Sequence, residues 1–167
     1  MERGFYPVIT PIGNILIEAE GDFPARIILP GGESKGKPEI TAPTVAVRQM
    51  TGALNAYFQG IDPDEAFTVG LLKNLRISAF ARAVLREVAR IPRGATLSYG
   101  EVAARAGRPE ASRAVGGVMR ANPYPILIPC HRVVKSDGSL GGYGGGERIK
   151  IWLLGFEGAP INLVNSR

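Results

Sequence analysis

The sequence predicts a protein of the α/β class and, within that class, an α+β arrangement. A small mixed N-terminal domain of antiparallel sheet plus helix is predicted at residues 1–75, and a mostly helical C-terminal domain with a helix-turn-helix at residues 76–167. Two observations support this prediction. Strand-like runs separated by turn residues fill residues 5–30, whereas apolar residues at helical spacing dominate the second half.

The N-terminal domain is predicted to open with a small antiparallel meander. Apolar runs alternate with Pro- and Gly-containing turns, and the predicted strands lie at residues 6–10, 14–19 and 25–29. A polar loop is predicted to follow them at residues 30–38.

A helix is predicted after this loop. Its apolar positions recur at helical spacing, at Val47, Met50, Leu54 and Phe58. A start signal at residues 41–44 precedes them, and Gly60 ends the helix. The apolar segment at residues 71–75 is predicted to be a linker into the second domain.

The C-terminal domain is predicted to begin with an amphipathic core helix that ends at residues 92–94. Its apolar stripe consists of Ile77, Phe80, Ala81, Val84, Leu85, Val88 and Ile91. Ser98 and Glu101 then form a capping box that opens a short helix through Ala106. A turn at Gly107 leads into a second helix with Pro109 at its first position. Two short helices joined by a tight turn predict a helix-turn-helix.

The second of these helices has an unusual composition for a reader of the DNA major groove. Its residues are mostly small, with one arginine: Ala111, Ser112, Arg113, Ala114, Gly116 and Gly117. It lacks the Gln, Asn and Lys side chains that recognise base edges. We therefore expect minor-groove binding that is largely independent of sequence. Alternatively, the two glycines permit tight packing against a neighbouring helix.

The only cysteine and the only histidine of the 167 residues are adjacent, at Cys130 and His131. A thiol needs a base or a positive neighbour to become a thiolate, and imidazole is suited to take a proton near neutral pH. In a regular strand the two side chains would point to opposite faces, so a proton would pass through a bend or a bridging water. The alternative is a buried structural cysteine.

Positive charge is concentrated in the second half of the chain. Residues 76–167 hold 14 Lys and Arg against 6 Asp and Glu, a net charge of +8, whereas residues 1–75 hold 6 against 9, a net charge of −3. Phosphate neutralisation supplies most non-specific affinity for nucleic acid, so this asymmetry predicts a nucleic-acid binder. A solvated basic surface is the alternative.

Several classes of protein are disfavoured by the composition. A single cysteine forbids an intrachain disulfide, and one Cys with one His cannot supply the ligands of a structural zinc site without carboxylates. No apolar window is long enough to span a bilayer, and residues 1–7 lack a secretory signal. We expect a cytoplasmic protein with no cofactor, no metal and no membrane partner.

The segment RAVGGVMRANPYPILIPCHRVV at residues 113–134, with GGY at residues 141–143 and a last helix that ends near Glu157, resembles the O6-alkylguanine-DNA alkyltransferase family. The resemblance covers about the last 90 residues. It implies a monomeric repair protein, a methylated-DNA–protein-cysteine S-methyltransferase that binds double-stranded DNA carrying O6-alkylguanine. Such a protein flips the base from the minor groove and transfers the alkyl group irreversibly to Cys130, once per molecule.

The resemblance also implies four catalytic residues. Cys130 is the nucleophile, and a water, His131 and Glu157 complete a relay that produces thiolate and imidazolium. Asn122 holds the bend between the helix-turn-helix and the active-site segment. Without the resemblance, Glu157 is a solvated charge near the C-terminus and Asn122 an ordinary helix stop before Pro123.

Further residues are implied in substrate binding. The Tyr99 hydroxyl and the Gly144 amide donate to the base, and the carbonyls of Cys130 and Val133 accept from its exocyclic amine. Tyr143 lies in a glycine-rich lid at residues 138–146, where relatives carry Asn at position 142 and Ser at position 144. Tyr99 is otherwise a half-buried amphipathic side chain.

The implied DNA contacts lie on and beside the helix-turn-helix. Arg113 fills the gap that the flipped base leaves, and the remaining contacts are Ser98, Ala111, Ser112, Gly116 and Arg120. Two other functions stay open at this point. A lesion sensor would flip the base without reacting, although sensors of this kind lack the cysteine. An unrelated thiol hydrolase would use Cys130 and His131 and release an acid.

Overall fold

The N-terminal half begins with a three-stranded antiparallel sheet of order β1-β2-β3. The strands are β1 (Arg3–Thr10), β2 (Gly13–Glu20) and β3 (Phe23–Ile28), which confirms the predicted meander. Ile15, Ile17 and Ala19 of the central strand are fully buried, because alternate side chains of a strand point to one face.

The computed structural model describes residues 3–34 and 42–163, so residues 35–38 of the predicted loop and Thr41 of the start signal lie outside it.

Two helices follow the sheet. Helix α1 (Val45–Phe58) is capped by Thr44, whose side chain accepts a hydrogen bond from the Val47 amide. Tyr57 is fully buried, whereas Phe58 of the predicted apolar stripe is only partly buried. Helix α2 (Glu65–Lys73) begins at Asp64 in the same way. The linker predicted at residues 71–75 is therefore wrong. Leu71 and Leu72 are buried on α2, because the apolar run is one face of a helix packed on the core.

The second half contains the predicted helix-turn-helix. Helix α3 (Ala79–Ala89) carries the centre of the apolar stripe, with Ile77 before its first residue and Ile91 after its last. Helix α4 (Tyr99–Arg105) opens with the predicted capping box of Ser98 and Glu101. Helix α5 spans Ser112–Arg120.

The predicted start of α5 is wrong. Pro109 lies in the turn before the helix rather than at its first position. The Ala111 amide donates to the Arg108 carbonyl at 3.0 Å, which closes a turn over residues 108–111 and delays the first helical residue to Ser112.

A short parallel ladder places the active-site segment beside the helix-turn-helix. Strand β4 (Leu97–Ser98) immediately precedes α4 and pairs with β5 (Val133–Val134). Helix α6 (Glu147–Glu157) follows the glycine-rich loop and ends at Gly158, which is left-handed with φ 71°. Within residues 3–34 and 42–163, no helix is long and apolar enough to cross a membrane.

One hydrophobic core connects both halves of the chain. It includes fully buried side chains of β2, α1, α3, α4 and β5, among them Ile15, Leu54, Val84, Val102 and Val133. The segment that carries Cys130 lies within this core. The N-terminal half therefore contributes directly to the surroundings of the cysteine.

Candidate active site and DNA-contact face

Cys130 begins a single 3₁₀ turn, Cys130–Arg132, between Pro129 and β5. The Arg132 amide donates to the Pro129 carbonyl at 2.9 Å, and the Cys130 amide donates to the Ile128 carbonyl at 2.8 Å. The chain is therefore bent at the Cys-His pair, so the alternation of a regular strand does not apply. Cys130 is buried except for the 6% of its surface that faces a cavity.

The environment of the thiol favours its neutral form in the resting protein. Burial raises the pKa of Cys130, and the Asn122 amide, the Lys150 ammonium and backbone amides only partly oppose this effect. A base is therefore needed to produce the thiolate.

His131 is fully buried and oriented by Glu157. Its Nε2 lies 2.7 Å from Glu157 Oε1, whereas its Nδ1 has no hydrogen-bond partner among the residues that the structure describes. Burial lowers the pKa of His131, and the Glu157 carboxylate opposes this shift. The free ring nitrogen is thus the atom that can accept a proton, while the bonded one fixes the ring.

Glu157 is buried rather than solvated, which excludes the alternative role expected for it. Burial alone would raise its pKa, but hydrogen bonds from His131 and Arg132 hold the pKa of this carboxyl well below its usual range. Arg132 binds it in a bidentate manner, with Nε 2.9 Å from Oε2 and Nη2 2.8 Å from Oε1. The carboxylate is therefore ionised and held in one orientation.

Sequence reasoning missed four residues around this carboxylate: Tyr57, Asp62, Arg93 and Arg132. The Tyr57 hydroxyl donates to Glu157 Oε1 at 2.7 Å. Asp62 accepts from both arginines, each at 2.8 Å. Arg132 could have been found, because a charge inside the apolar run at residues 126–134 predicts a paired buried group. The other three have no local signal, since they come from distant segments.

A cavity of about 470 Å³ opens on Cys130 and brings together most of the predicted site. Its lining residues are Tyr99, Ser112, Arg113, Gly116, Met119, Arg120, Cys130, Lys135, Gly141, Gly142, Tyr143 and Gly144. Ser98, Ala111 and Val133 do not line it. Ser98 and Ala111 lie at the first turns of α4 and α5, and the Val133 carbonyl accepts from Lys150 Nζ at 2.7 Å.

Lys150 is a further residue that the sequence analysis missed. It is fully buried on α6, and besides Val133 its ammonium donates to the carbonyls of Leu140 and Gly142 in the lid. Burial lowers the pKa of Lys150 to about 8, and the charge of a Cys130 thiolate would oppose that shift. The side chain thus fastens the lid to β5, next to the cysteine.

The lid contacts Tyr99 at one glycine. A Cβ at Gly141 would lie 2.6 Å from the Tyr99 hydroxyl oxygen, and Gly141 has φ +69°, so no other residue fits there without displacement. At Gly142 and Gly144, no heavy atom of the described residues, apart from the adjacent residues of the chain, lies within 4 Å of an added Cβ. A Cβ would therefore fit at these two positions.

Two tyrosines offer hydroxyl groups near the thiol. Burial raises the pKa of Tyr99, so its hydroxyl remains a donor over a wide pH range. Burial also raises the pKa of Tyr143 well above its ordinary value, with a smaller contribution from the neighbouring Cys130, and its buried hydroxyl makes no hydrogen bond of ordinary geometry to the residues that the structure describes. An unsatisfied buried hydroxyl in a cavity wall is available to a ligand.

Helix α5 presents two exposed arginines beside the cavity, Arg113 and Arg120. The Arg120 guanidinium lies over Gly116 and Gly117, with its nitrogens 3.7 and 3.8 Å from the positions of an added Cβ. No atom of another described element lies within 4 Å of these positions. The two glycines therefore do not accommodate a neighbouring helix. Because they lack side chains, the surface of α5 is recessed beside Arg120.

Asn122 spans the bend before the cysteine. Its Nδ2 donates to the Ile128 carbonyl at 2.9 Å, and its Oδ1 accepts from the Tyr124 amide at 3.0 Å. The bend is also tied to β3, because the Tyr124 hydroxyl donates to the Pro24 carbonyl at 3.0 Å and the Ile27 amide to the Pro123 carbonyl at 2.8 Å. Asn122 thus fixes the approach to Cys130 rather than only ending α5.

The chain is similar to known proteins along nearly its whole length. Residues 79–159 match the DNA-binding domain of 6-O-methylguanine DNA methyltransferase. The methylated-DNA–protein-cysteine methyltransferase of Mus musculus is 42% identical over 99% of this chain and 77% of its own length. That of Cricetulus griseus is 47% identical over 95% and 75%, respectively.

Solved structures from Mycobacterium tuberculosis share the fold. Its O6-methylguanine methyltransferase has a TM-score of 0.73 and 32% identity, over 97% of this chain and 98% of that protein. Its OGT protein in complex with DNA has a TM-score of 0.73 and 35% identity, over 94% of this chain and 95% of that protein.

Among the residues described for this chain, no group of three or more His, Cys, Asp and Glu is arranged to hold a metal ion.

Proposed function

Because this chain belongs to the methylated-DNA–protein-cysteine methyltransferase family, we propose that it repairs O6-alkylguanine in DNA by moving the alkyl group onto Cys130. One observation carries the proposal: the only thiol of the chain lines the same cavity as the exposed arginines of the helix-turn-helix. A base that enters the cavity from bound DNA would reach the sulfur. The cavity size also fits a purine, since small-ligand pockets measure roughly 300–1,000 Å³.

The proposed reaction begins with a proton transfer. The thiol proton passes through a bridging water to His131 Nδ1, which is the ring nitrogen without a protein partner. Glu157 stabilises the resulting imidazolium through Nε2 at 2.7 Å. The thiolate sulfur then attacks the alkyl carbon, the bond between that carbon and O6 breaks, and guanine leaves as an anion that takes up a proton.

The leaving anion needs hydrogen-bond donors. The Tyr99 hydroxyl and the Gly144 amide are proposed as these donors, and both residues line the cavity. The carbonyls of Cys130 and Val133 are proposed to accept from the exocyclic amine. A carbonyl can accept two hydrogen bonds, so the bond from Lys150 to the Val133 carbonyl does not exclude this role.

DNA is proposed to bind across α4 and α5 in the minor groove. The absence of side chains at Gly116 and Gly117 would allow close approach of the DNA, and Arg113, which lines the cavity, is proposed to fill the gap left by the flipped base. Arg120 and Ser112, with Ser98 and Ala111 at the helix starts, are proposed as backbone contacts. Affinity should fall with salt and depend little on sequence.

The product limits the protein to one reaction. A thioether does not release its alkyl group under cellular conditions, and the chain has no second thiol to receive it. We propose that the protein acts as a monomer in the cytoplasm, without a cofactor. Residues 76–167 would carry the DNA-binding and transfer functions, and residues 1–75 would support the active-site segment.

Intact-protein mass spectrometry tests the proposal. A limiting amount of protein is incubated with excess duplex that contains O6-methylguanine, with Cys130→Ser as the matched control. We expect one methyl group per wild-type molecule and none on the variant, which should still bind the duplex. Binding without modification of the wild type would indicate a lesion sensor, and a released acid would indicate a hydrolase.

A further inference from the structure

A buried ion-pair network connects the loop between α1 and α2 to the proposed relay. Arg132 Nη2 lies 2.8 Å from Asp62 Oδ2 and 2.8 Å from Glu157 Oε1, so the guanidinium bridges two carboxylates. Arg132 is 2% exposed, and the side chains of Glu157 and Asp62 are 0% and 27% exposed. Bulk water therefore weakens the Arg132–Glu157 pair much less than a surface pair, whereas the partly exposed Asp62 is screened to a greater extent.

The network controls the orientation of the carboxylate that holds His131. Glu157 Oε1 accepts from His131, Arg132 and Tyr57. Because one oxygen serves three donors, a rotation of the Arg132 guanidinium would move the acceptor of the imidazole. Asp62 Oδ2 accepts from the same Nη2 of Arg132, and Asp62 Oδ1 accepts from Arg93 Nη2 at 2.8 Å.

The network also affects the charge that His131 can carry. Burial lowers the pKa of His131, and the positive charge of Arg132 lowers it further. Asp62 is the second carboxylate beside Arg132 and offsets part of that positive charge. Without it, the imidazolium formed by the thiol proton would face a less compensated cation.

We propose that Asp62 is a positioning residue for alkyl transfer, which acts through Arg132 and Glu157 on His131. This inference rests on the proposed function. It assigns to the N-terminal half a role in the chemistry, because a carboxylate 70 positions before Arg132 keeps the imidazole oriented and able to hold a proton.

Other groups face His131 and are unchanged by substitutions at position 62. The charged ones are Glu157 and Lys150 of α6, with Arg132 of its own turn. The Tyr57 ring of α1 and the Tyr143 ring of the lid contact it edge-on, with centroids 6.2 and 6.5 Å away. Asp62 does not contact the imidazole itself, so a change at His131 in an Asp62 variant would pass through Arg132.

Three variants test the proposal. Asp62→Asn removes the charge while keeping the shape. Glu65→Gln is the matched control, since Glu65 pairs with Arg90 at 2.8 Å on the exposed surface, outside the network. Arg93→Gln changes the charge in the opposite direction and leaves Asp62 to pair with Arg132 alone. Because the chain has one histidine and one cysteine, the imidazole nitrogen NMR signals and the rate of thiol alkylation by iodoacetamide each report on one residue.

We expect Asp62→Asn to slow the reactions of Cys130 with iodoacetamide and with free O6-benzylguanine about tenfold, the lower end of the effect that loss of an orienting partner has at metal-bound histidines. The pH titration of its imidazole signals should move to lower pH than that of the wild type. Glu65→Gln should match the wild type, and in Arg93→Gln the imidazole titration should move to higher pH. Thermal unfolding curves show whether each variant is folded at the assay temperature. If Asp62→Asn does not fold, the comparison of Arg93→Gln with the wild type tests the proposal.

The outcomes separate this proposal from the proposed function. If Asp62→Asn behaves as Glu65→Gln, or if Arg93→Gln shifts the imidazole in the same direction as Asp62→Asn, Asp62 is only structural and the proposal is overturned. If the wild type takes no benzyl group while iodoacetamide still distinguishes Asp62→Asn from Glu65→Gln, the proposed function fails and the role of Asp62 stands.

Discussion

The contact between Gly141 and Tyr99 yields a sharp prediction for Gly141→Ala. A new Cβ would lie 2.6 Å from the Tyr99 hydroxyl oxygen, whereas ordinary van der Waals contact begins at 3.4 Å. The difference of 0.8 Å must be taken up by Tyr99 or by the lid. The lid and the hydroxyl proposed to stabilise the leaving guanine would therefore separate by most of an ångström.

The expected cost follows from this displacement. A misplacement of about 1 Å at a reacting centre costs roughly 100-fold in rate, so the reaction of Gly141→Ala with free O6-benzylguanine should be slower by about 10- to 100-fold. The left-handed backbone, with φ +69°, adds a strain of about 1–2 kcal/mol for an L-residue. For a chain of this size, that strain lowers Tm by about 2–8 °C.

Gly142→Ala is the matched control for this prediction. It adds the same methyl group to the same loop, where no described heavy atom lies within 4 Å of the new Cβ and φ lies outside the left-handed region. Single-turnover rates and thermal unfolding of the two variants are compared. Equal rates for Gly141→Ala and Gly142→Ala would refute the argument that the lid positions the Tyr99 hydroxyl.

Three further predictions follow from the site. Arg113→Ala should slow repair of duplex DNA far more than reaction with free O6-benzylguanine, because only the duplex requires base flipping; equal losses in the two rate assays would assign Arg113 to folding or to the pocket. Protein alkylated at Cys130 should melt below the free protein, more so for benzyl than for methyl, because overpacking costs about 1–3 kcal/mol; calorimetry that shows equal or higher Tm contradicts this. The Lys150→Met variant should lose a pH dependence of stability that the wild type has. Burial lowers the pKa of Lys150 from 10.5 to about 8, so between these two pH values the unfolded chain still binds a proton that the folded protein has lost. The free energy of unfolding of the wild type, relative to the variant, should therefore rise by up to ~3 kcal/mol between about pH 8 and 10.5; parallel curves in urea titrations would oppose it.

The sequence by itself determined the elements that depend on neighbouring residues. The capping box of Ser98 and Glu101, the period of the α3 stripe and the turns between the strands act over three to eight positions, and the structure contains all of them. The adjacent Cys130 and His131 marked the reactive segment for the same reason. Local signals were insufficient at the start of α5, where Pro109 fits a helix start but a hydrogen-bonded turn delays the helix, and at Leu71, where a helix face was interpreted as a linker.

Only the tertiary structure decided which distant groups surround His131. Glu157 has the ordinary pattern of a solvated charge in the sequence, yet it is buried because Arg132, His131 and Tyr57 all donate to it. Asp62 and Arg132 are 70 positions apart, and Lys150 reaches three carbonyls of β5 and the lid. The physical reason is that burying a charge without a partner costs free energy. This cost requires each buried charge to have a partner, but which residue serves as the partner depends on which segments the fold brings together.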